Sequence, residues 1–167
     1  HVAFCDLHYE RLRDNCKRLS IDIPVDKHAF EKAVLKTINK NGLKNAYVRV
    51  TLSPVGASYG IDRPKKMKTN FSIFCKNFNG KKKELYTKGA KIILVKNSPS
   101  DHPEMANLKS TNYLYKMMAR DEVVKNRADE GIFCTPDGKV LEGSLSNLFI
   151  VKDGDIVTPP ISEGILP

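Results

Sequence analysis

The sequence contains no tryptophan, and its aromatic content is only 8%. A protein that stacks single-stranded nucleic acid on aromatic side chains is therefore disfavoured. No apolar run approaches the roughly 20 residues of a membrane-spanning helix, and no secretion signal is visible, so we expect no membrane partner. Hydrophobic residues make up 41% and charged residues 28%, which is typical of an ordinary folded domain.

Cysteine and histidine are sparse and do not fall in the spacing of a metal site. There are four of each, and no two cysteines form a CxxC pair. This pattern favours reduced thiols in a cytosolic protein over a disulfide framework, and no metal site is predicted. The residues concerned are Cys5, Cys16, Cys75, Cys134, His1, His8, His28 and His102.

Basic residues exceed acidic ones, 28 to 19, which gives the 167 residues a formal charge of +9. Such an excess attracts anions, including phosphates, acidic metabolites and nucleic acid. Much of it lies in two short lysine clusters, at 65–68 and 81–83, beside turn-forming residues. We interpret these clusters as exposed loops. A basic nucleic-acid-binding domain remains a distant alternative, and we expect no nucleic-acid partner.

The first part of the chain shows two helical patterns followed by strand patterns. Asp6 is predicted to cap a helix over 7–20, and Asp26 a second helix that ends at Gly42. From Ala46 the apolar residues alternate, which indicates a half-buried strand. Two further strands are predicted over 71–78 and 91–96, and the basic stretch between them is interpreted as a hairpin connection.

The second part shows one helix and then short strands. Residues 111–127 have helical spacing, and hairpins are predicted over 131–141 and 145–158, each around an Asp-Gly turn. We therefore expect an α+β protein with a first domain at 1–98, an irregular linker at 99–106 and a second domain from 107 to 167. The second domain breaks off in mid-pattern, so we expect a longer protein.

Three residues could carry chemistry, although each alone is explained as a surface residue. Lys109 lies between the predicted linker and a helix, where its amine could enter a cleft. Glu142 precedes a loop of small and amide-bearing residues that offers hydroxyl and backbone donors. Arg11 lies on the first helix, where a guanidinium group could bind a phosphate.

Read together, these residues belong to four motifs that resemble those of one enzyme family. HYERL at 8–12 matches the HxxRL signature of the class IV aminotransferases, the fold-type IV pyridoxal-phosphate enzymes. LKSTNYL at 108–114 resembles their lysine segment, and GKVLEGSLSNLF at 138–149 resembles their cofactor-glutamate segment. TPP at 158–160 and GILP at 164–167 match the next landmark in the correct order.

The resemblance implies a role for each residue around a pyridoxal 5'-phosphate cofactor. Lys109 matches the lysine that forms the imine with the cofactor and then moves the Cα proton. Glu142 matches the carboxylate that keeps the pyridine nitrogen protonated, and Arg11 matches the phosphate-binding arginine. The matches in the loops that orient and cover the cofactor are Ser144, Ser146, Asn147 and Leu166. Arg49 matches a position that some members use near the substrate carboxylate.

The implied fold is a two-domain enzyme with a small α/β N-terminal domain and an antiparallel pseudo-barrel C-terminal domain. Two family features are missing: the strands that usually precede the HxxRL helix, and a Gly-(hydrophobic)-Thr-Arg phosphate motif expected directly after Pro167. We therefore expect part of the C-terminal domain to lie outside this chain. The resemblance also implies a homodimer.

The implied reaction is transfer of an amino group between an amino acid and a 2-oxo acid. D-amino acids and branched-chain amino acids are the two expected substrate types. Asn112 follows Lys109 by three positions, a spacing more like the D-amino-acid transaminases and the lyases of the family. The alternative function is therefore an aminodeoxychorismate lyase, which releases pyruvate and 4-aminobenzoate in folate synthesis.

Overall fold

A computed structural model describes residues 1–56, 62, 67–95 and 103–167 of the chain. These residues form two compact units, His1–Gly80 and Lys81–Pro167. None of the described helices combines the length and apolar composition that a membrane crossing requires.

The first unit consists of two helices and an antiparallel two-stranded ribbon. The helices are α1 (Cys5–Arg18) and α2 (Lys27–Lys40), and the strands are β1 (Ala46–Val55) and β2 (Lys68–Asn77). The alternation predicted from Ala46 is confirmed, because one face of the ribbon packs against the helices while the other is exposed. The core of this unit is formed by Cys5, Tyr9, Phe30 and Val34, with Val48, Val50, Phe71 and Ile73 from the ribbon.

The two helices begin in different ways. Asp26 caps α2 as predicted, since its Oδ1 accepts a hydrogen bond from the Ala29 amide at 2.8 Å. Gly42 follows that helix in the left-handed conformation, with φ of 61°, as also predicted. The prediction for Asp6 is wrong. The residue before α1 is Phe4, with φ of 50° and no capping side chain, and Asp6 lies in the first turn, 2.8 Å from Lys27 Nζ.

The second unit contains a three-stranded sheet, with strand order β3-β4-β5, a separate hairpin and three helices. Val95, Ala119, Val123, Phe133, Leu141 and Ile165 form its core, so α5 packs on the sheet. The elements in chain order are α3 (Glu84–Lys88), β3 (Ile92–Leu94), α4 (Pro103–Ala106), α5 (Leu114–Lys125), β4 (Glu130–Cys134), β5 (Val140–Gly143), β6 (Ile150–Lys152), β7 (Asp155–Val157) and a 3₁₀ turn (Ile161–Glu163).

The strand predicted over 91–96 does not form a hairpin with β2. Instead, β3 pairs in parallel with β4, with Ile93 opposite Gly131. A Cβ atom on Gly131 would lie 2.6 Å from Val95 Cγ1, so the absence of a side chain lets this segment approach β4. The two compact units meet in the sequence at Gly80 and Lys81, while the domain boundary at residue 98 stays a prediction. Of the predicted linker, residues 99–102 lie outside the described residues and 103–106 form α4.

The different helix starts give a testable contrast between two aspartates. Asp26→Ala is expected to lower the free energy of unfolding by about 1 kcal/mol, because it leaves a helix amide without its acceptor. Asp6→Ala removes only an exposed ion pair and is expected to cost less than about 0.5 kcal/mol. Urea unfolding of the full-length protein measures both, with Asp26→Asn as the control that keeps the cap. Equal losses in the two alanine variants would contradict the capping assignment.

Candidate active site

Glu142 lies on β5 with its carboxylate buried and both oxygens bonded. Its side chain is only 5% exposed, and Oε1 lies 3.1 Å from the Nζ atom of Lys116, which is itself 11% exposed. Oε2 accepts a hydrogen bond from the Leu166 amide at 3.0 Å. The carboxylate is therefore fixed by α5 on one side and by the 164–167 segment on the other.

Tyr115 completes the surroundings of this ion pair on α5. The ammonium group of Lys116 lies 5.8 Å from the centre of the Tyr115 ring, and that ring packs against Phe133. Burial raises the pKa of the Tyr115 phenol, and the negative charge of Glu142 adds to this effect, while Lys116 opposes it. The phenol is therefore neutral at physiological pH, and among the described residues Lys116 is the cation in contact with Glu142.

A second carboxylate, Glu130, organises the loop that follows Glu142. It accepts hydrogen bonds from the hydroxyl groups of Ser144, at 2.5 Å, and Ser146, at 2.8 Å, and from the Gly131 amide at 2.9 Å. Arg120 Nη1 lies 3.6 Å from the same carboxylate. Burial alone would raise the pKa of Glu130, but these hydrogen bonds and the guanidinium group outweigh it and hold the pKa below its usual range.

The loop after β5 depends on a close backbone approach at Gly143. The Gly143 amide donates to the Ser146 carbonyl at 2.7 Å, and a Cβ atom at this position would collide with the Ser146 hydroxyl. The Ser144 amide donates to the Gly131 carbonyl at 2.8 Å, which ties the loop to β4. The glycine therefore allows both serine hydroxyls to reach one carboxylate.

The other residues predicted for the site in the second unit lie in exposed or partly exposed loops. Lys109 is exposed in the loop between α4 and α5. The next residues turn towards the helix, since the Ser110 amide donates to the Leu108 carbonyl and the Asn112 amide to the Ser110 hydroxyl. Asn147 is exposed after the serine loop.

The two predicted arginines lie in the first unit. Arg11 is half-buried on α1, and its Nη2 atom lies 3.4 Å from Nδ1 of His8. Burial lowers the pKa of His8, and the positive charge of Arg11 lowers it further. Arg49 is exposed on β1, with its guanidinium carbon 5.5 Å from the centre of the Phe74 ring.

Two residues of the site, Lys116 and Glu130, were not predicted from the sequence. Their partners lie 26 and 14 positions further along the chain, so no short motif marks them. A periodicity argument could have singled out Lys116, because it shares a helix face with the buried Ala119 and Val123. No group of three or more potential metal ligands occurs among the described residues.

The Glu130 network gives a pH-dependent prediction. Glu130→Gln is expected to lower the free energy of unfolding by about 1–3 kcal/mol at pH 7, because bonded hydroxyl and amide donors lose their charged acceptor. The folded pKa lies below the unfolded value of about 4.3, so this stabilisation is present above that value and lost as pH falls through the folded pKa. The difference between variant and wild type should therefore shrink in acid.

Urea unfolding of the full-length protein at pH 7 and at pH 3 measures this difference. Glu84→Gln is the matched control, because Glu84 is exposed in the first turn of α3 and its replacement should cost less than about 0.5 kcal/mol. A loss for Glu130→Gln that is the same at both pH values would argue against the charged network.

Comparison with known proteins identifies the family. The family model "Amino-transferase class IV" matches residues 1–167. The aminodeoxychorismate lyase of Bacillus subtilis is 33% identical over 163 residues, which are 96% of this chain and 55% of that protein. The chain spans about half the length of the curated relatives it matches.

Solved structures agree in fold. The branched-chain aminotransferase of Thermoproteus uzoniensis, crystallised with norvaline, superposes with a TM-score of 0.82 at 32% identity, covering 95% of this chain and 53% of that chain. The Escherichia coli branched-chain amino acid aminotransferase gives a TM-score of 0.87 at 26% identity, covering 98% and 55%. The predicted α+β fold-type IV architecture is thus confirmed, and the chain belongs to the class IV aminotransferase family of enzymes.

Proposed function

We propose that the full-length protein is a pyridoxal-phosphate-dependent aminotransferase. It would move an amino group between an amino acid, of the D- or branched-chain type, and a 2-oxo acid, and would act as a homodimer. The observation that carries this proposal is the buried Glu142 carboxylate, fixed by Lys116 and by the Leu166 amide. Enzymes of this family use pyridoxal phosphate, so the residues present can be tested for their fit to that cofactor.

The carboxylate of Glu142 fits the ring nitrogen of pyridoxal phosphate. Each carboxylate oxygen can accept two hydrogen bonds, and in the described part of the chain Lys116 and the Leu166 amide place one donor on each oxygen of Glu142. An acceptor position therefore remains for a protonated pyridine nitrogen. When bound, the cofactor supplies an electron sink for the substrate carbanion. Glu142 would hold the proton on the ring nitrogen and so maintain that sink.

Lys109 would supply the amine that binds the cofactor aldehyde and then moves the substrate Cα proton. The lysine lies in the loop that leads directly into α5, the helix whose first turn contacts Glu142 through Lys116. Lys109 itself is an exposed residue of that loop. A lysine and a carboxylate that approach one ring from different elements are what this chemistry requires.

The remaining assignments follow the family motifs. Arg11 would bind the cofactor phosphate, where a guanidinium group can form two parallel hydrogen bonds. The loop of Ser144, Ser146 and Asn147 would orient the cofactor, and the shared contact of both serines with Glu130 supports a fixed loop. Leu166 would pack on the ring. Arg49 would bind the substrate carboxylate.

The second candidate function is the lyase reaction, which the similarity to a known lyase supports as well as the first. The chain is 33% identical to the aminodeoxychorismate lyase of Bacillus subtilis and 32% identical to the aminotransferase of Thermoproteus uzoniensis. Overall similarity therefore does not separate the two reactions. Both need a lysine amine and a carboxylate at the ring nitrogen, so Lys109 and Glu142 would serve either one.

A substrate test separates the two functions. The purified full-length protein is given D-alanine or L-leucine with 2-oxoglutarate, or aminodeoxychorismate alone, and 2-oxo acid and 4-aminobenzoate are assayed separately. An aminotransferase converts D-alanine to pyruvate, or L-leucine to its 2-oxo acid. Either product forms only when 2-oxoglutarate is added. Pyruvate together with 4-aminobenzoate from aminodeoxychorismate would overturn the aminotransferase proposal in favour of the lyase.

A labelling test addresses Lys109 directly. Reduction of the cofactor-loaded protein with borohydride should fix a phosphopyridoxyl group on Lys109, found by peptide mass mapping. Lys109→Ala is expected to lose the label and at least about 10³-fold of kcat, because both the amine and its proton transfer disappear. Lys125→Ala, in the exposed last turn of α5, is the matched control and should keep both. A label on Lys116 would contradict the assignment.

A further inference from the structure

Lys116 occupies a position of α5 where an apolar residue is expected. Ala119 and Val123, three and seven positions later on the same helix face, are fully buried in the core of the second unit. Lys116 is itself 11% exposed, and its ammonium group is directed to Glu142. A methionine or leucine here would continue the apolar stripe, so simple packing does not explain a lysine.

The physical cost of this arrangement indicates a role for the charge. Removing an ammonium group and a carboxylate from water is costly, and the attraction between them offsets the cost only when the geometry is good. Breaking such a pair leaves one buried charge without a counterion. Lys116 and Glu142 therefore act as a pair, since loss of either side chain leaves the other buried without its partner.

We propose that Lys116 is a positioning residue of the active site, whose charge compensates that of the buried Glu142 carboxylate and whose hydrogen bond fixes the direction of Oε1. With the Leu166 amide on Oε2, the plane of the carboxylate is held before any ligand arrives. Glu142 then meets the ring nitrogen as an oriented anion. The link to the ring nitrogen rests on the proposed function, whereas the ion pair itself does not.

The neighbours of Glu142 determine how this pair responds to pH. From α5, Lys116 and Tyr115 face it, and the Tyr115 phenol stays neutral at the pH values used below. The 164–167 segment contributes the Leu166 amide, which does not titrate. The part of β4 beside it contributes Ile132 and Phe133, both apolar and buried. Loss of the Lys116 charge therefore leaves the buried carboxylate of Glu142 without the cation that contacts it.

The first experiment uses the full-length protein without cofactor and compares four variants by urea unfolding at pH 8 and pH 5. These are Lys116→Met, Lys116→Arg, Glu142→Gln and the double variant K116M/E142Q. K116M should lower the urea midpoint at pH 8, and the loss should be smaller at pH 5, because the uncompensated carboxylate can take up a proton. K116R should keep most of the wild-type midpoint at both pH values.

The double variant keeps the test decisive if K116M does not fold. K116M/E142Q contains no buried carboxylate at position 142, so it should be more stable than K116M, and the two single losses should not add. If the double variant is no more stable than K116M, or if the loss is the same at pH 8 and pH 5, the lysine serves packing only and the inference is wrong.

The second experiment tests the link to the cofactor through its absorption spectrum. If Lys116 keeps Glu142 directed towards the ring nitrogen, its removal weakens the hold of Glu142 on that proton, so the pH midpoint of the visible absorption change should shift by about one unit in K116M, and K116R should keep the wild-type midpoint. An unchanged midpoint in K116M would overturn the proposed effect on the ring nitrogen. This result is independent of the substrate assays, so failure of the inference and failure of the proposed reaction can be told apart.

Discussion

The buried ion pair between Lys116 and Glu142 is the constraint around which the second unit is organised. A carboxylate removed from water needs donors on both oxygens, and here the donors come from α5 and from the 164–167 segment. The bond to Leu166 fixes that segment beside β5, and the neighbouring Ile165 completes the apolar core next to Leu141. The hydrogen bonds of the buried carboxylate and the packing of the apolar core thus favour the same arrangement of α5, β5 and the 164–167 segment.

One turn after Lys116, helix α5 also places Arg120 beside a second carboxylate, that of Glu130. Lys116 contacts Glu142, and Arg120 lies near Glu130. Glu130 in turn binds the two serine hydroxyls of the loop after β5, which can approach because Gly143 has no side chain. One helix therefore positions both the carboxylate of Glu142 and, through Glu130, the loop proposed to orient the cofactor. The first carboxylate would act at the ring, whereas the second acts only on the protein.

Local features of the fold were predictable from the sequence, and long-range pairings were not. The Asp26 cap and the left-handed Gly42 depend on neighbours within one helical turn, so their signals lie in a short window. Asp6 failed as a cap because Phe4 adopts a positive φ and the helix starts one residue earlier than the aspartate. The parallel pairing of β3 with β4 joins segments that are far apart in the chain, which no periodicity in residues 91–96 could reveal.

The residues of the candidate site also divide into those marked by a local motif and those that depend on long-range contacts. Motifs identified Lys109, Glu142 and the serine loop, because these residues lie in short recognisable segments. They did not identify Lys116 or Glu130, whose partners are distant in sequence although adjacent in space. A burial argument is needed for such residues: a charged side chain on an otherwise apolar helix face must have a partner, and the search for that partner leads to the site.

Charge acts at two length scales in this protein. The excess of 28 basic over 19 acidic residues creates a positive field, which would draw in the anionic cofactor and the carboxylates of the proposed substrates. At the ring nitrogen the requirement is reversed, since a protonated pyridine needs an anion beside it. The pairing of Glu142 with the buried Lys116 satisfies this anion on one side, and the Leu166 amide directs it on the other.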